Sequence, residues 1–224
     1  MTSSTAGRKI SICDVGPRDG LQSEKRIWSV DERAEFIDRL SATGLDRIEV
    51  VSFVNPKRVP QMAHAEEVLA RIKRPDGVRM AGLALNLRGV ERALETDLDE
   101  IRYVAIASET FNQKNQGASV EQTMAGFEEI ARKVIASGKH LSGAIGTSFG
   151  CPFEGDVPLD QVVVIAKRFA DNGVHEVGLA DTIGSAVPNQ VSAVVEAVQN
   201  AISPDIDLSC HFHNTRNTGI ANAA

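Results

Sequence analysis

Two hydrophobic patterns alternate along the chain. Short apolar, β-branched runs are typical of buried parallel strands. Between them, apolar residues recur every three or four positions, which is the spacing of one helix face. The runs that predict strands, seven in number, are 9–15, 47–53, 78–85, 101–107, 140–148, 175–180 and 206–213.

Helix signals occupy the intervals between these runs. Ser29 with Glu32, and Ser119 with Gln122, have the spacing of a capping box at a helix start. Further helices are predicted over 61–72, 87–95 and 188–202, and around the apolar positions 162, 166 and 169. Because strand and helix alternate without a linker or a change of composition, we predict parallel β-α units in a single domain, residues 1–224.

Polar residues collect at the carboxyl ends of many of these strands. A β/α barrel brings all its strand ends to one rim, whereas a doubly wound sheet concentrates a site at one switch point. No G-x-G-x-x-G motif follows the first strand. We therefore predict an α/β fold of the (β/α)8 TIM-barrel type. The strand-end residues are Arg18, Asp19, Glu49, Asn86, Ser108, Glu109, Thr147, Ser148, Asp181, His211 and His213.

The length of the chain is short for a complete eight-stranded barrel. A β/α barrel takes about 250 residues, and the chain has 224. After the seventh strand only the opening of a helix remains, so we expect strands one to seven and a missing eighth, a barrel truncated at its C-terminus.

Composition excludes several classes of protein. The net charge is −6 with no cluster of basic residues, which argues against nucleic-acid binding. No apolar run approaches the length of about 18 residues that a membrane span needs. The first residues lack an apolar signal core, so we expect a cytoplasmic protein. The cysteines, three in number and widely spaced, predict reduced thiols.

The segment Cys210-His211-Phe212-His213 carries the sharpest chemical signal. Alternation along a strand points both imidazoles to one face, which suits a metal site, although two solvated histidines are equally compatible with the pattern. Asp19 is the natural third ligand in a barrel, but it also fits a simple turn in Pro17-Arg18-Asp19-Gly20. An Asp-His-His set favours a divalent cation such as magnesium or manganese, and it also occurs in non-haem iron oxygenases.

Two further charged residues interrupt apolar runs. Arg18 could stabilise an oxyanion or a carboxylate, or form a surface ion pair. Glu49 lies within a strand run, where a buried carboxylate must be paired, so it either bonds Arg18 or serves the site. Cys151 follows the fifth strand, where we expect a structural thiol.

Several motifs together resemble the 3-hydroxy-3-methylglutaryl-CoA lyase family. The likeness runs in order from residue 9 to the last residue, and its first motif is highly specific. The motifs are 15–22 (VGPRDGLQ), 52–62 (SFVNPKRVPQM), 150–155 (GCPFEG), 181–184 (DTIG) and 211–213 (HFH).

This resemblance implies a metal-dependent lyase that cleaves hydroxymethylglutaryl-CoA to acetyl-CoA and acetoacetate, as in leucine degradation. Asp19, His211 and His213 would bind Mg²⁺ or Mn²⁺. Arg18 would stabilise the thioester enolate, while Glu49 and Asp181 would orient the substrate as further catalytic residues. Arg18, Gln22, Lys25 and Ser108 would contact the acyl-CoA substrate.

The chain also departs from the family. A fourth metal ligand, an asparagine, and a glycine-rich loop with a cysteine are expected beyond its last residue. The alternatives are a Claisen-condensing acyltransferase of the same superfamily and a catalytically incomplete metal-binding fragment. We expect no membrane or nucleic-acid partner, and a homodimer is one candidate assembly.

Overall fold

The computed structural model describes residues 10–224, so the first residue of the predicted strand 9–15 lies outside it. The chain divides into two compact units, one that ends at Gly82 and one from Leu83 to Ala224. The boundary falls within the third strand. Whether both units form a single domain stays a prediction.

Strands and helices alternate throughout, and the strands lie in the sheet in chain order from the first to the seventh. The strands are β1 (Cys13–Asp14), β2 (Arg47–Ser52), β3 (Arg79–Ala84), β4 (Glu100–Ile106), β5 (His140–Gly146), β6 (Glu176–Asp181) and β7 (Asp207–Phe212). The helices are α1 (Val30–Ser41), α2 (Ala65–Arg71), α3 (Leu87–Leu94), α4 (Glu109–Gln116), α5 (Val120–Ala136), α6 (Leu159–Asp171), α7 (Pro188–Ala201) and α8 (Gly219–Ala223).

The pairings follow from this alternation. β1 pairs with β2, β4 with β5, β5 with β6 and β6 with β7, each in parallel. Among residues 10–224 no eighth strand follows β7. The predicted α/β architecture with seven parallel strands is therefore confirmed.

Local sequence explains where most helices begin and end. Ser29 and Ser119 each form the predicted capping box, with Glu32 and Gln122 respectively. α6 ends before Gly173, whose φ of 79° is the left-handed conformation that glycine adopts without strain. In the part of the chain that the structure describes, no helix combines the length and the apolar composition needed to cross a membrane.

Two helices differ from the prediction. The segment 61–72 is divided into a 3₁₀ turn at Pro60–Met62 and α2, with His64 between them at a φ of 60°. The Ala63 carbonyl accepts a hydrogen bond from Arg33 Nη1 at 2.7 Å. α4 was not predicted, because Phe111 is its only large apolar residue.

A buried polar cluster lies at the start of β4, β5 and β6. Arg102 Nη2 lies 3.0 Å from Glu176 Oε1 and 3.6 Å from Glu100 Oε1. Ser142 Oγ donates to Glu100 Oε1 at 2.7 Å and accepts from Arg102 Nε at 3.2 Å. Strand register creates this cluster, since Arg102 lies opposite Ser142, which in turn lies opposite Glu176.

Candidate functional site

The turn after β1 carries Arg18 and Asp19. Gly16–Gly20 forms a π-helical turn in which the Val15 carbonyl accepts from the N–H groups of Asp19 at 2.7 Å and Gly20 at 3.3 Å, the second being the i→i+5 bond of a π-helix. Asp14 Oδ1 accepts from the Gly16 N–H at 2.8 Å. Single-turn π segments are frequent at functional sites. Backbone hydrogen bonds therefore fix the point from which both charged side chains extend.

Arg18 forms an ion cluster with two carboxylates. Its Nε donates to Glu49 Oε1, and its Nη1 lies 2.6 Å from Asp19 Oδ1. The Glu49 side chain is fully buried and that of Arg18 is 12 % exposed. A buried carboxylate is costly unless it is paired. The Arg18–Glu49 ion pair, one of the two alternatives expected for Glu49, is present, and the same guanidinium also bonds Asp19.

The histidine pair lies at the end of β7. His211 is the penultimate residue of the strand, and His213 follows its last residue. Both are half-buried, and their ring centroids are 4.9 Å apart at an angle of 84°. The two imidazoles are therefore neighbours, as strand alternation predicted.

A backbone carbonyl fixes the tautomer of His213. Its Nδ1 lies 2.7 Å from the Thr182 carbonyl oxygen, which can only accept. The Nδ1 nitrogen therefore carries a proton, and in the neutral imidazole the lone pair that can bind a metal is on Nε2. Histidine ligands in metal sites usually donate their other N–H to a carbonyl or carboxylate in this way.

Ser108 lies at the start of α4, against the loop that follows β5. Its Oγ accepts from the Phe111 N–H at 3.1 Å and from the thiol of Cys151 at 2.9 Å. Glu154 Oε1 of the same loop accepts from the Thr110 N–H at 2.7 Å. Hydrogen bonds from Thr110, and more weakly from Ser108, lower the pKa of Glu154. The loop after β5 is thus attached to the N-terminus of α4.

Asp181 caps the turn after β6. It is fully buried, and its two carboxylate oxygens accept from the N–H groups of Ser185 at 2.9 Å and Ala186 at 3.1 Å. Gly184 in this turn has a φ of 65°, and a Cβ there would lie 2.8 Å from the Thr215 nitrogen, so only glycine fits. The structure shows a turn-stabilising contact for Asp181, and its catalytic role stays a prediction.

Gln22 and Lys25 lie in the segment that follows the π-helical turn. Gln22 is half-buried and Lys25 is exposed. Gln61 Nε2 donates to the carbonyl of Glu24 at 3.0 Å, which ties this segment to the loop after β2. Their predicted contacts with substrate stay predictions.

Comparison with known proteins identifies the family. The HMGL-like family model matches residues 9–224. A 3-hydroxy-3-isohexenylglutaryl-CoA/hydroxy-methylglutaryl-CoA lyase of Pseudomonas aeruginosa is 41 % identical over 215 residues, 96 % of this chain and 71 % of that protein. The chain belongs to the HMGL-like family. It is therefore a carbon–carbon lyase by family.

Other relatives in the HMGL-like family differ in the acyl-CoA named for them. An (R)-citramalyl-CoA lyase of Chloroflexus aurantiacus is 41 % identical over 224 aligned positions, 96 % of this chain and 70 % of that protein. The structure of an Acinetobacter baumannii HMG-CoA lyase in complex with coenzyme A and 3-methylmalate superposes with a TM-score of 0.91 at 39 % identity. That match covers 95 % of this chain and 69 % of that one. The TIM-barrel fold, represented here by strands one to seven, is thus confirmed.

Some residues around the HMGL-like site were not predicted from sequence. Thr147 was expected at a strand end but without a role, and Thr182 was expected only as a member of the motif 181–184. The structure links them, because the Thr147 N–H donates to Thr182 Oγ1 at 2.8 Å. The three cysteines are thiols, as predicted, and Cys151 is buried against Ser108.

Proposed function

We propose that this HMGL-like chain cleaves (S)-3-hydroxy-3-methylglutaryl-CoA to acetyl-CoA and acetoacetate in a metal-dependent retro-Claisen reaction. The observation that carries the proposal is the ion cluster of Arg18 with Asp19 and Glu49. It joins a cation suited to an enolate with a carboxylate suited to a metal. The hydroxymethylglutaryl-CoA lyase relative supports the choice of substrate.

We propose Asp19, His211 and His213 as the metal ligands. A carboxylate oxygen and imidazole nitrogens suit Mg²⁺ or Mn²⁺, and the two imidazoles are neighbours at the end of β7, with ring centroids 4.9 Å apart. The fit is supported by His213, whose Nδ1 donates to the Thr182 carbonyl as the second nitrogen of a histidine ligand usually does. When bound, the cation lowers the pKa of the substrate's tertiary hydroxyl.

The chemistry requires few groups. The hydroxyl loses its proton, the bond between C2 and C3 breaks, and its electron pair moves to C2 to give the thioester enolate of acetyl-CoA. The former C3 becomes the ketone carbonyl of acetoacetate. The enolate carbon then takes up a proton, so that atoms and charges balance.

The chain's own residues hold the substrate during this reaction. Arg18 stabilises the enolate oxygen with its planar array of N–H donors. Glu49 keeps that guanidinium oriented, and Asp181 fixes the turn after β6. Gln22, Lys25 and Ser108 are proposed to contact the acyl-CoA, with Lys25 near the CoA portion.

A second candidate substrate is (R)-citramalyl-CoA, because a lyase for it is as similar to this chain as the hydroxymethylglutaryl-CoA lyase. The same bond cleavage would then release acetyl-CoA and pyruvate. The two substrates differ in the group on C3, which is a carboxymethyl group in hydroxymethylglutaryl-CoA and a carboxylate in citramalyl-CoA.

Product analysis tests the proposal. Protein with MgCl₂ or MnCl₂ is incubated with each acyl-CoA, and acetoacetate, pyruvate and acetyl-CoA are measured. We expect metal-dependent acetoacetate release that Arg18→Met removes. Pyruvate alone would establish the second candidate. Consumption of acetyl-CoA with a 2-oxo acid would indicate the condensing acyltransferase, and metal binding without turnover would indicate the incomplete fragment.

A further inference from the structure

Hydrogen bonds connect the carboxyl ends of four successive strands, β4 to β7. The Ser108 N–H donates to Thr147 Oγ1 at 3.2 Å, and the Thr147 N–H donates to Thr182 Oγ1 at 2.8 Å. The Thr182 carbonyl accepts from His213 Nδ1 at 2.7 Å. We call Thr147 and Thr182 the threonine rim, because they occupy the two inner positions of this series.

Thr147 has a backbone conformation that β-branched residues rarely adopt. Its φ is 57°, and the residue is fully buried. Glycine would adopt this left-handed conformation with little strain, but it has no hydroxyl for the Ser108 N–H. Strained residues persist where the surroundings determine them, and they cluster at functional sites. The strain at Thr147 therefore accompanies a specific contact.

The surroundings hold the rim in place on both sides. The Ala107 N–H donates to the Gly146 carbonyl at 3.0 Å, and the Ser148 N–H donates to the Ala180 carbonyl at 3.1 Å. Next to Thr182, both oxygens of Asp181 accept from the following turn. The Thr182 carbonyl consequently presents a fixed acceptor to His213.

We propose that the threonine rim positions His213 as a metal ligand, with Thr182 acting directly and Thr147 extending the support to Ser108. This inference rests on the proposed function, in which His213 binds the metal and Ser108 faces the acyl-CoA. Neither threonine touches the reacting atoms, so both are positioning residues. Metal affinity would then depend on two hydroxyl groups that are not ligands.

Thr182→Val is the decisive variant. It removes the acceptor of the Thr147 N–H and preserves the side-chain shape and the carbonyl that binds His213. We expect Mn²⁺ binding, followed by the EPR signal of unbound Mn²⁺, to weaken about tenfold, as for other residues that orient a ligand. Thr182→Ser restores the hydroxyl and should recover most of the affinity.

Thr123→Val is the matched control for stability. Thr123 is buried in α5, and its Oγ1 accepts from Asn112 Nδ2 at 2.7 Å, so this variant also loses one buried hydrogen bond. We expect it to lower the stability without changing the Mn²⁺ affinity. If Thr182→Val also lowered only the stability, the proposal would be wrong.

A readout without metal separates this inference from the proposed function. In the metal-free protein, NMR measures how fast the His213 Nδ1–H exchanges with water. We expect faster exchange in Thr182→Val, and to a smaller extent in Thr147→Val, than in the unsubstituted protein. Unchanged exchange in both would overturn the proposal. A protein with the expected exchange rates and no acyl-CoA cleavage would refute only the proposed function.

Discussion

Arg18, in the turn after β1, and His213, directly after β7, are held in place by different kinds of interaction. Arg18 is held by charge, since its guanidinium bonds both Asp19 and the buried carboxylate of Glu49. His213 is held by a neutral group, the backbone carbonyl of Thr182.

This difference predicts different sensitivities. Removing one partner of a buried ion pair leaves an uncompensated charge, whereas removing a neutral hydrogen bond costs far less. Substitutions of Arg18 or Glu49 should therefore lower the stability of the fold as well as disturb the site. The residues after β7 should control ligand binding with little effect on stability.

The largest expected effect tests the first half of this comparison. We expect Glu49→Ala to lower the free energy of unfolding by about 3 kcal/mol in urea titrations, because Arg18 loses its fully buried partner and keeps only the more exposed Asp19. Glu35→Ala is the control, since Glu35 pairs with Arg39 at 2.5 Å on an exposed helix surface. Its loss should be below about 1 kcal/mol. Equal losses in both variants would contradict a special role for the buried pair.

Asp181→Asn tests whether a buried carboxylate at the end of β6 also stabilises the fold. The substitution removes the charge and one of two acceptors for backbone N–H groups, so we expect a loss of about 2 kcal/mol by thermal or urea unfolding. Asp205→Asn, at an exposed position, should change the stability by less than about 0.5 kcal/mol. If Asp181→Asn were equally mild, the turn after β6 would not depend on that carboxylate.

His213→Ala tests whether the residues after β7 control metal binding with little effect on stability. We expect a stability loss of only about 1 kcal/mol, the usual value of one hydrogen bond, together with loss of Mn²⁺ binding in calorimetric titration. His64→Ala removes an exposed histidine that pairs with Glu67, and it should leave Mn²⁺ binding unchanged. Retained metal affinity in His213→Ala would refute the ligand assignment.

The smallest effect concerns an exposed charge. Hydrogen bonds from Thr110 lower the pKa of Glu154 in the folded state, so its stabilising contribution is present above the unfolded pKa and is lost as pH falls through the lowered one. The difference in melting temperature between the unsubstituted protein and Glu154→Gln should shrink on acidification from neutral pH to about pH 3. A constant difference would show that the carboxylate charge is irrelevant.

Much of the fold could be predicted because strands and most helices bury continuous or periodic apolar positions. The capping boxes at Ser29 and Ser119 are local signals and were also predicted correctly. α4 has no such periodicity. Its signals are the cap at Ser108 and the left-handed Gly117, which is typical of a helix end.

In the candidate site, too, some contacts could be predicted from the sequence and others could not. The Arg18–Glu49 pair could be predicted, because a carboxylate in an apolar strand needs a partner. The contact between His213 and Thr182 joins residues that are 31 positions apart through a backbone carbonyl, which has no side-chain signature. At the division of the predicted helix 61–72, the Ala63 carbonyl likewise accepts from Arg33 Nη1, a residue 30 positions away along the chain.

The cluster of Arg102, Ser142 and Glu176 has a consequence for folding. A slip of β5 by one residue would turn Ser142 to the other face and place Leu141 or Gly143, neither of which can accept a side-chain hydrogen bond, opposite Arg102. A guanidinium without its partners inside a forming sheet is costly, so slipped pairings are penalised before the helices pack. The cluster therefore favours the native register of β4, β5 and β6. It lies at the ends of these strands that are opposite to Ser108 and Asp181.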